Sequence, residues 1–271
     1  MDNRPVGVFD SGLGGLTAAR KIRSILPSED IIYFGDTSRV PYGGRSREIL
    51  LKYARQDVRF LRSFDIKAIV VACGTVSTTC LPQLQAENDL PVLGVVEPAC
   101  RRAVAVSKTR HVGLIATAAS VRSETYEQII HALDPDVTVT ARACPLFVPL
   151  VENGRYERGD IVIETVAREY LEPIRGSGID TLILGCTHYP LLMDLIGEIM
   201  GPEVTLIDTG EEAAWELKRT LKAKDLLSNR AQEGTTTLYA SDQPEDFGLM
   251  AKHFLQEELT SPVLQVNIDR Y

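Results

Sequence analysis

No two of the five cysteines form a Cys-x-x-Cys pair in this chain of 271 residues. Cys73, Cys80, Cys100, Cys144 and Cys186 are odd in number and widely scattered. That pattern fits reduced thiols of the cytosol better than a disulfide framework or a structural zinc site. Positive charge is also short. There are 29 Lys+Arg against 37 Asp+Glu, a net charge of −8, and no run of basic residues. Nucleic acid and anionic membrane surfaces are therefore not the expected partners. Long apolar runs are missing too. The longest uncharged stretch, Ala68 to Ala86, is broken by Gly74, Thr75 and Pro82, so it is not a membrane span. The opening Met-Asp-Asn-Arg-Pro has no basic segment followed by an apolar one, and no secretory signal is expected. A cytoplasmic protein is the expectation. No linker is long, Pro-rich or low in complexity.

What is present is an alternation of short β-rich runs with helical patterns. Strands are expected at Val6–Phe9, Ile31–Phe34, Ala68–Ala72, Val92–Val96, Val112–Ala116, Val137–Thr140, Thr181–Leu184 and Val204–Ile207. Ala68–Ala72 is wholly apolar, as a buried parallel strand should be. Helices are expected at Leu16–Leu26, Ser46–Ser63, Ser120–Leu133, Asp160–Arg175, Leu191–Met200 and Glu211–Lys222. This order predicts an α/β fold with mostly parallel sheets. The 44% apolar content and the length allow one large core or two smaller ones.

The chain also repeats itself. Arg4–Phe9 aligns with Arg110–Ile115 at an offset of 106, and Asp30–Tyr33 falls on Asp136–Val139 at the same offset. Ile66–Cys73 aligns with Ile179–Cys186 at an offset of 113. Two similar lobes are therefore expected, with ligand outside the carboxyl ends of the strands. Cys73 and Cys186 sit at matching ends and can face one cleft.

A thiol at a strand end, beside a turn and a helix start, lies where backbone N–H groups favour thiolate. Cys73 precedes Gly74-Thr75, and Cys186 precedes Thr187-His188-Tyr189-Pro190. Cys80, Cys100 and Cys144 lack that context and read as structural. Asp10-Ser11-Gly12-Leu13-Gly14-Gly15 follows the first strand and offers turn amides to an anion. It is neither Gly-x-Gly-x-x-Gly nor a P-loop, and no pyridoxal-phosphate lysine motif is evident, so no cofactor is expected. Asp10 reads as a helix cap or as a carboxylate tuning a base. Ser11 and its repeat partner Thr117 are candidate hydroxyl donors. Tyr42 and Gly43 lie in a turn that brings an aromatic hydroxyl and backbone donors to the cleft. Glu152 reads as an acidic residue in a loop. His188 is a candidate acid/base neighbour of Cys186. A single Cys-x-His pair among four histidines is not a metal set, and no metal is expected.

These segments together resemble the glutamate racemase family, whose members need no cofactor and supply D-glutamate for peptidoglycan. The matching stretches are Gly7–Gly15, Tyr33–Asp36, Val40–Gly43, Ala72–Thr75 and Gly185–Pro190, in the family's order. The resemblance implies two α/β lobes, related by a pseudo-two-fold, with the active site in the cleft between them. One lobe would hold residues 1–96 and 209–271, and the other 97–208. It makes Cys73 and Cys186 the acid/base pair, with Asp10, Glu152 and His188 as polar groups around the thiols. It places Asp10, Ser11, Tyr42, Gly43, Gly74, Thr75, Thr117, Thr187 and His188 at substrate-contact positions. It implies glutamate as the small-molecule partner and a homodimer. The family's usual Cys-Asn-Thr is here Cys73-Gly74-Thr75, so one side chain able to bind substrate is missing.

Racemisation takes the Cα proton from one face and delivers another to the opposite face. A thiol, with a reference pKa of ~8.5, needs only a modest shift to serve as base near neutral pH. The rival readings are an aspartate or hydantoin racemase of the same superfamily, a cysteine hydrolase using Cys186 and His188, and an inactive amino-acid-binding homologue. Residues two apart at a strand end are expected to point apart, which disfavours the hydrolase.

Overall fold

A computed structural model describes all of residues 1–271. Its ten strands form two sheets in which every pairing is parallel. The first holds β1 (Val6–Asp10), β2 (Ile31–Gly35), β3 (Ala68–Val71), β4 (Val92–Gly94), β9 (Thr236–Ala240) and β10 (Leu264–Gln265). Its order is β10-β9-β2-β1-β3-β4. The second holds β5 (His111–Ala116), β6 (Thr138–Ala143), β7 (Thr181–Gly185) and β8 (Thr205–Asp208), in the order β6-β5-β7-β8.

The sequence repeat is visible in this order. β2-β1-β3-β4 and β6-β5-β7-β8 are the same arrangement built twice. β1 and β5 are the paired centres, each with its following strand on one side and the third strand on the other. Register agrees: Val8 faces Tyr33 and Val70, while Leu114 faces Ala141 and Ile183. The central strands are apolar on both faces because helices cover both. Val6 and Val8 pack with α1 (Leu16–Ile25), whereas Phe9 and Val71 pack with α2 (Arg47–Leu61). Helix starts carry the expected caps. The Ser46 hydroxyl accepts from the Ile49 N–H, and the Asp208 carboxylate accepts from the Gly210 and Glu211 N–H groups.

Several expected elements differ. The strand expected at Val92–Val96 stops at Gly94, because Val96 already begins helix α5 (Val96–Val106). The strand expected at Val137–Thr140 runs on to Ala143, in register with all of β5. The single helix expected over Ser120–Leu133 is two, α6 (Ala118–Arg122) and α7 (Thr125–Leu133). Glu124 between them is left-handed, with φ of 54°, and the Ser123 hydroxyl accepts from the Thr125 N–H, so the α ladder cannot continue. Glu152 is not in a loop. It closes the short helix α8 (Phe147–Glu152). Beyond residue 223 the chain returns to the first sheet as β9 and β10, flanking α12 (Pro244–Leu255). No helix is long and apolar enough to cross a membrane.

Candidate active site

The carboxyl ends of β1, β3, β5 and β7 converge on one cavity of about 480 Å³. Each repeat contributes its central strand and its third strand. Asp10 ends β1, Cys73 follows β3, Thr117 follows β5 and Cys186 follows β7. The lining includes every expected site residue: Asp10, Ser11, Tyr42, Gly43, Cys73, Gly74, Thr75, Thr117, Glu152, Cys186, Thr187 and His188. It contains no Lys or Arg. His188 is then the one lining side chain that can carry positive charge, and the other donors are amides and hydroxyls.

The two thiols have different surroundings. Cys73 is the N-cap of helix α3 (Gly74–Thr79), and its Sγ is 3.7 Å from the Ser11 hydroxyl. Burial pushes this thiol well above the ordinary range, and the nearby Asp10 carboxylate adds to the shift. Cys73 rests as a thiol. Cys186 Sγ lies 3.8 Å from His188 Nδ1. His188 Nε2 lies 2.9 Å from Glu152 Oε1. Burial alone would lower the imidazole pKa. The hydrogen bonds to Cys186 and Glu152 outweigh it and raise His188 to about 10. Protonated His188 thus stands beside the second thiol, and the buried Asp10 carboxyl beside the first.

Asp10 is held by the turn that follows it. Its Oδ2 accepts from the Gly12 N–H at 3.2 Å and the Gly15 N–H at 3.0 Å. Burial raises its pKa, opposed by His188 and those two amides. The glycines serve space as well as turn geometry. A Cβ on Gly14 would sit 2.2 Å from Thr187 Oγ1 and 2.5 Å from His188 Nδ1. A Cβ on Gly15 would sit 2.5 Å from Asp10 Cβ. Gly14 is thus the seat on which the His188 ring rests, and the ring also packs against Phe254 in a T-shaped pair at 5.4 Å between centroids.

Two expectations are corrected here. The Tyr42 hydroxyl does not face the cleft. It donates to the buried carboxylate of Asp36 and lies 3.2 Å from Asp57 Oδ2, while Arg39 bridges both acids. Tyr42 is nevertheless one of the residues that line the cavity. Cys186 and His188 do not point apart either. The chain leaves β7 at Gly185 and His188 has helical angles of φ −79° and ψ −27°, so strand alternation no longer applies. Thr117 caps α6, its Oγ1 accepting from the Ser120 N–H at 3.3 Å, and the first turn of that helix faces the cavity. At position 74 a Cβ would lie 3.2 Å from the Gly185 carbonyl, so the wall between the two repeats is nearly backbone on backbone there.

Other contributors escape a reading of motifs. Cys144 lines the cavity: it directly follows β6 and precedes a turn and α8, a strand-end context that the shorter expected strand hid. Pro145, Val148 and Pro149 form an apolar side of the same wall. Thr17 and Phe254 touch the Cys186–His188 segment from α1 and α12. Thr17 gives no signal in the sequence: its i+3 and i+4 neighbours are Arg20 and Lys21, so it reads as part of the polar side of α1.

Two parallel sheets with a thiol from each at one shared cleft define a class of protein. The sequence profile of the Asp/Glu/hydantoin racemase family matches residues 20–217. The chain belongs to that family. It is 45% identical to the glutamate racemase of Geobacter metallireducens over 269 residues, 99% of this chain and 98% of that one. Among solved structures, a glutamate racemase isoform of Bacillus anthracis superposes with a TM-score of 0.93 at 37% identity, covering 98% of both chains. The Francisella tularensis glutamate racemase, solved with D-glutamate, superposes with a TM-score of 0.90 at 38% identity over the whole of both chains.

Proposed function

We propose that the chain interconverts L- and D-glutamate without a cofactor, using Cys73 and Cys186 as the two acid/base groups. The observation that carries this reading is the placement of the two thiols. They stand at equivalent strand ends of the two repeats and open on one cavity. Full-length similarity to glutamate racemases supports the substrate. The lobes are residues 1–96 with 209–271, and 97–208. The reading extends to a cytoplasmic homodimer supplying D-glutamate for peptidoglycan.

In one direction Cys186, as thiolate beside protonated His188, takes the Cα proton, and the Cys73 thiol delivers another to the opposite face. The reverse direction starts from the exchanged protonation state. Glu152 positions His188 through Nε2. The carbanion's charge spreads into the α-carboxylate and needs donors that are already oriented. The first turns of α3 and α6, with the Ser11 and Thr187 hydroxyls, are the groups facing the cavity for that purpose.

The test is circular dichroism of D- or L-glutamate with purified protein and no additive, run beside L-aspartate and hydantoins. In heavy water each inversion should carry one solvent deuterium to Cα. Cys73→Ala and Cys186→Ala should each abolish inversion while the far-ultraviolet spectrum persists. Undiminished turnover by either variant overturns the two-thiol reading. Selective turnover of aspartate or a hydantoin overturns the substrate.

A further inference from the structure

Cys73 and Cys186 belong to different sheets, so their separation depends on contacts that cross between the sheets. We propose that Thr17 is a positioning residue for the reaction, its buried hydroxyl tying the Thr187 carbonyl to helix α1 and so fixing Cys186 relative to Cys73. The proposal rests on the two-thiol reading. Thr17 is 1% exposed and lies in the first turn of α1. Its Oγ1 is 2.8 Å from the Thr187 carbonyl oxygen and 3.0 Å from that of Gly14. Thr187 is the residue between Cys186 and His188.

The other end of the linkage is equally short. α1 follows β1 through the Gly12–Gly15 turn, and β1 pairs directly with β3, with Phe9 opposite Val71. Cys73 lies two residues beyond Val71. Beside the close approach of Gly74 to the Gly185 carbonyl, one path between the thiols thus runs through strand pairing, one tight turn and a single hydroxyl. Gly14 lies beneath His188 on the same path. A buried hydroxyl costs stability unless it is bonded. Here both carbonyls within its reach lie beside the catalytic segment.

Proton delivery needs the acid within near-attack distance of Cα, and about 1 Å of misplacement can cost roughly 100-fold. Thr17→Val keeps the shape and removes the hydroxyl. Its kcat should fall by roughly 10- to 100-fold, with KM moving far less. A structural lesion alone would slow deprotonation and inversion together. Loosened spacing predicts a further signature. The proton taken by one thiol exchanges with solvent and returns to the same face, so deuterium enters Cα without inversion. The ratio of deuterium wash-in to inversion, read by nuclear magnetic resonance and circular dichroism, should therefore rise in Thr17→Val. Thr17→Ser should restore the wild-type ratio. If Thr17→Val fails to fold, Thr17→Ala is read in the same way. An unchanged ratio in the folded variant, or no rescue by serine, overturns the proposal. Wild-type inversion without solvent deuterium overturns the two-thiol reading instead, and the same spectra show it before any variant is made.

Discussion

Gly14→Ala places a methyl group where the Thr187 and His188 side chains already are. The added Cβ would lie 2.2 Å from Thr187 Oγ1, 2.5 Å from His188 Nδ1 and 2.6 Å from His188 Cε1. Comfortable heavy-atom contacts begin near ~3.5 Å, so the segment must retreat by about 1 Å. His188 has little room to do so. Its Nε2 is bonded to Glu152, and its ring lies edge-on to Phe254. Overpacking of this kind costs about 1–3 kcal/mol, or roughly 2–12 °C in Tm for a chain of this size. The catalytic loss should be larger, on the order of 100-fold in kcat, because Cys186 moves with its neighbours. Gly12→Ala is the control. Its Cβ would meet only Val40 Cγ1, at an ordinary 3.5 Å, so its Tm should stay near wild type. Thermal unfolding and polarimetric racemisation of the two variants, side by side, make the measurement. Wild-type rate and Tm in Gly14→Ala would refute the close-packing argument.

Glu152→Gln should lower the pKa of His188, followed by imidazole resonances. Because His188 is raised from 6.5 to about 10, its contribution to stability is full below pH 6.5 and is lost as pH rises through about 10. The decline of Tm across that window should be shallower in Glu152→Gln, and an unchanged profile would refute the role of Glu152. Burial and the Asp36 charge push Asp57 above the usual carboxylate range, and Arg39, paired with both acids, pulls it back. Arg39→Met leaves both buried acids without their cation and should cost about 3–5 kcal/mol by denaturant unfolding, whereas Asp57→Asn keeps the Asp36–Arg39 pair and should cost less. Equal losses in the two variants would contradict that assignment. Asp10→Asn should lower the Cys73 pKa, so that Cys73 alkylation begins at lower pH; an unmoved onset would show that the Asp10 charge is not felt there.

The repeat carried the most structural information in the sequence. Matching Val6 with Val112 and Cys73 with Cys186 anticipated two sheets of one plan and the pairing of strand ends at the cavity. Local patterns served less well where a short polar side chain redirected the chain, as Ser123 does between α6 and α7. Thr236–Ala240 was not recognised as a strand because its alternation is brief. Its place beside β2 is set by long-range pairing. The direction of the Tyr42 hydroxyl was not legible for a similar reason. Asp36 lies on the same side of the chain, but Asp57 arrives from α2, and only the fold brings the two acids together. The Cys186–His188 contact depended on the backbone leaving extended geometry one residue before the thiol.

The unlike surroundings of the two thiols bear on what the enzyme can and cannot bias. Mirror-image substrates have equal free energy in achiral water, so under the proposed reaction the equilibrium constant is one. The ratio kcat/KM must then be identical for the two enantiomers, whatever the protein does. The Asp10 carboxyl beside Cys73 and the His188 cation beside Cys186 cannot favour one product. They can only divide that common ratio differently, giving one enantiomer a higher kcat with a proportionally higher KM. The resting protonation state then decides which enantiomer finds the enzyme ready. Under saturating substrate, conversion of the free enzyme between its two protonated forms becomes a step that the kinetics must include.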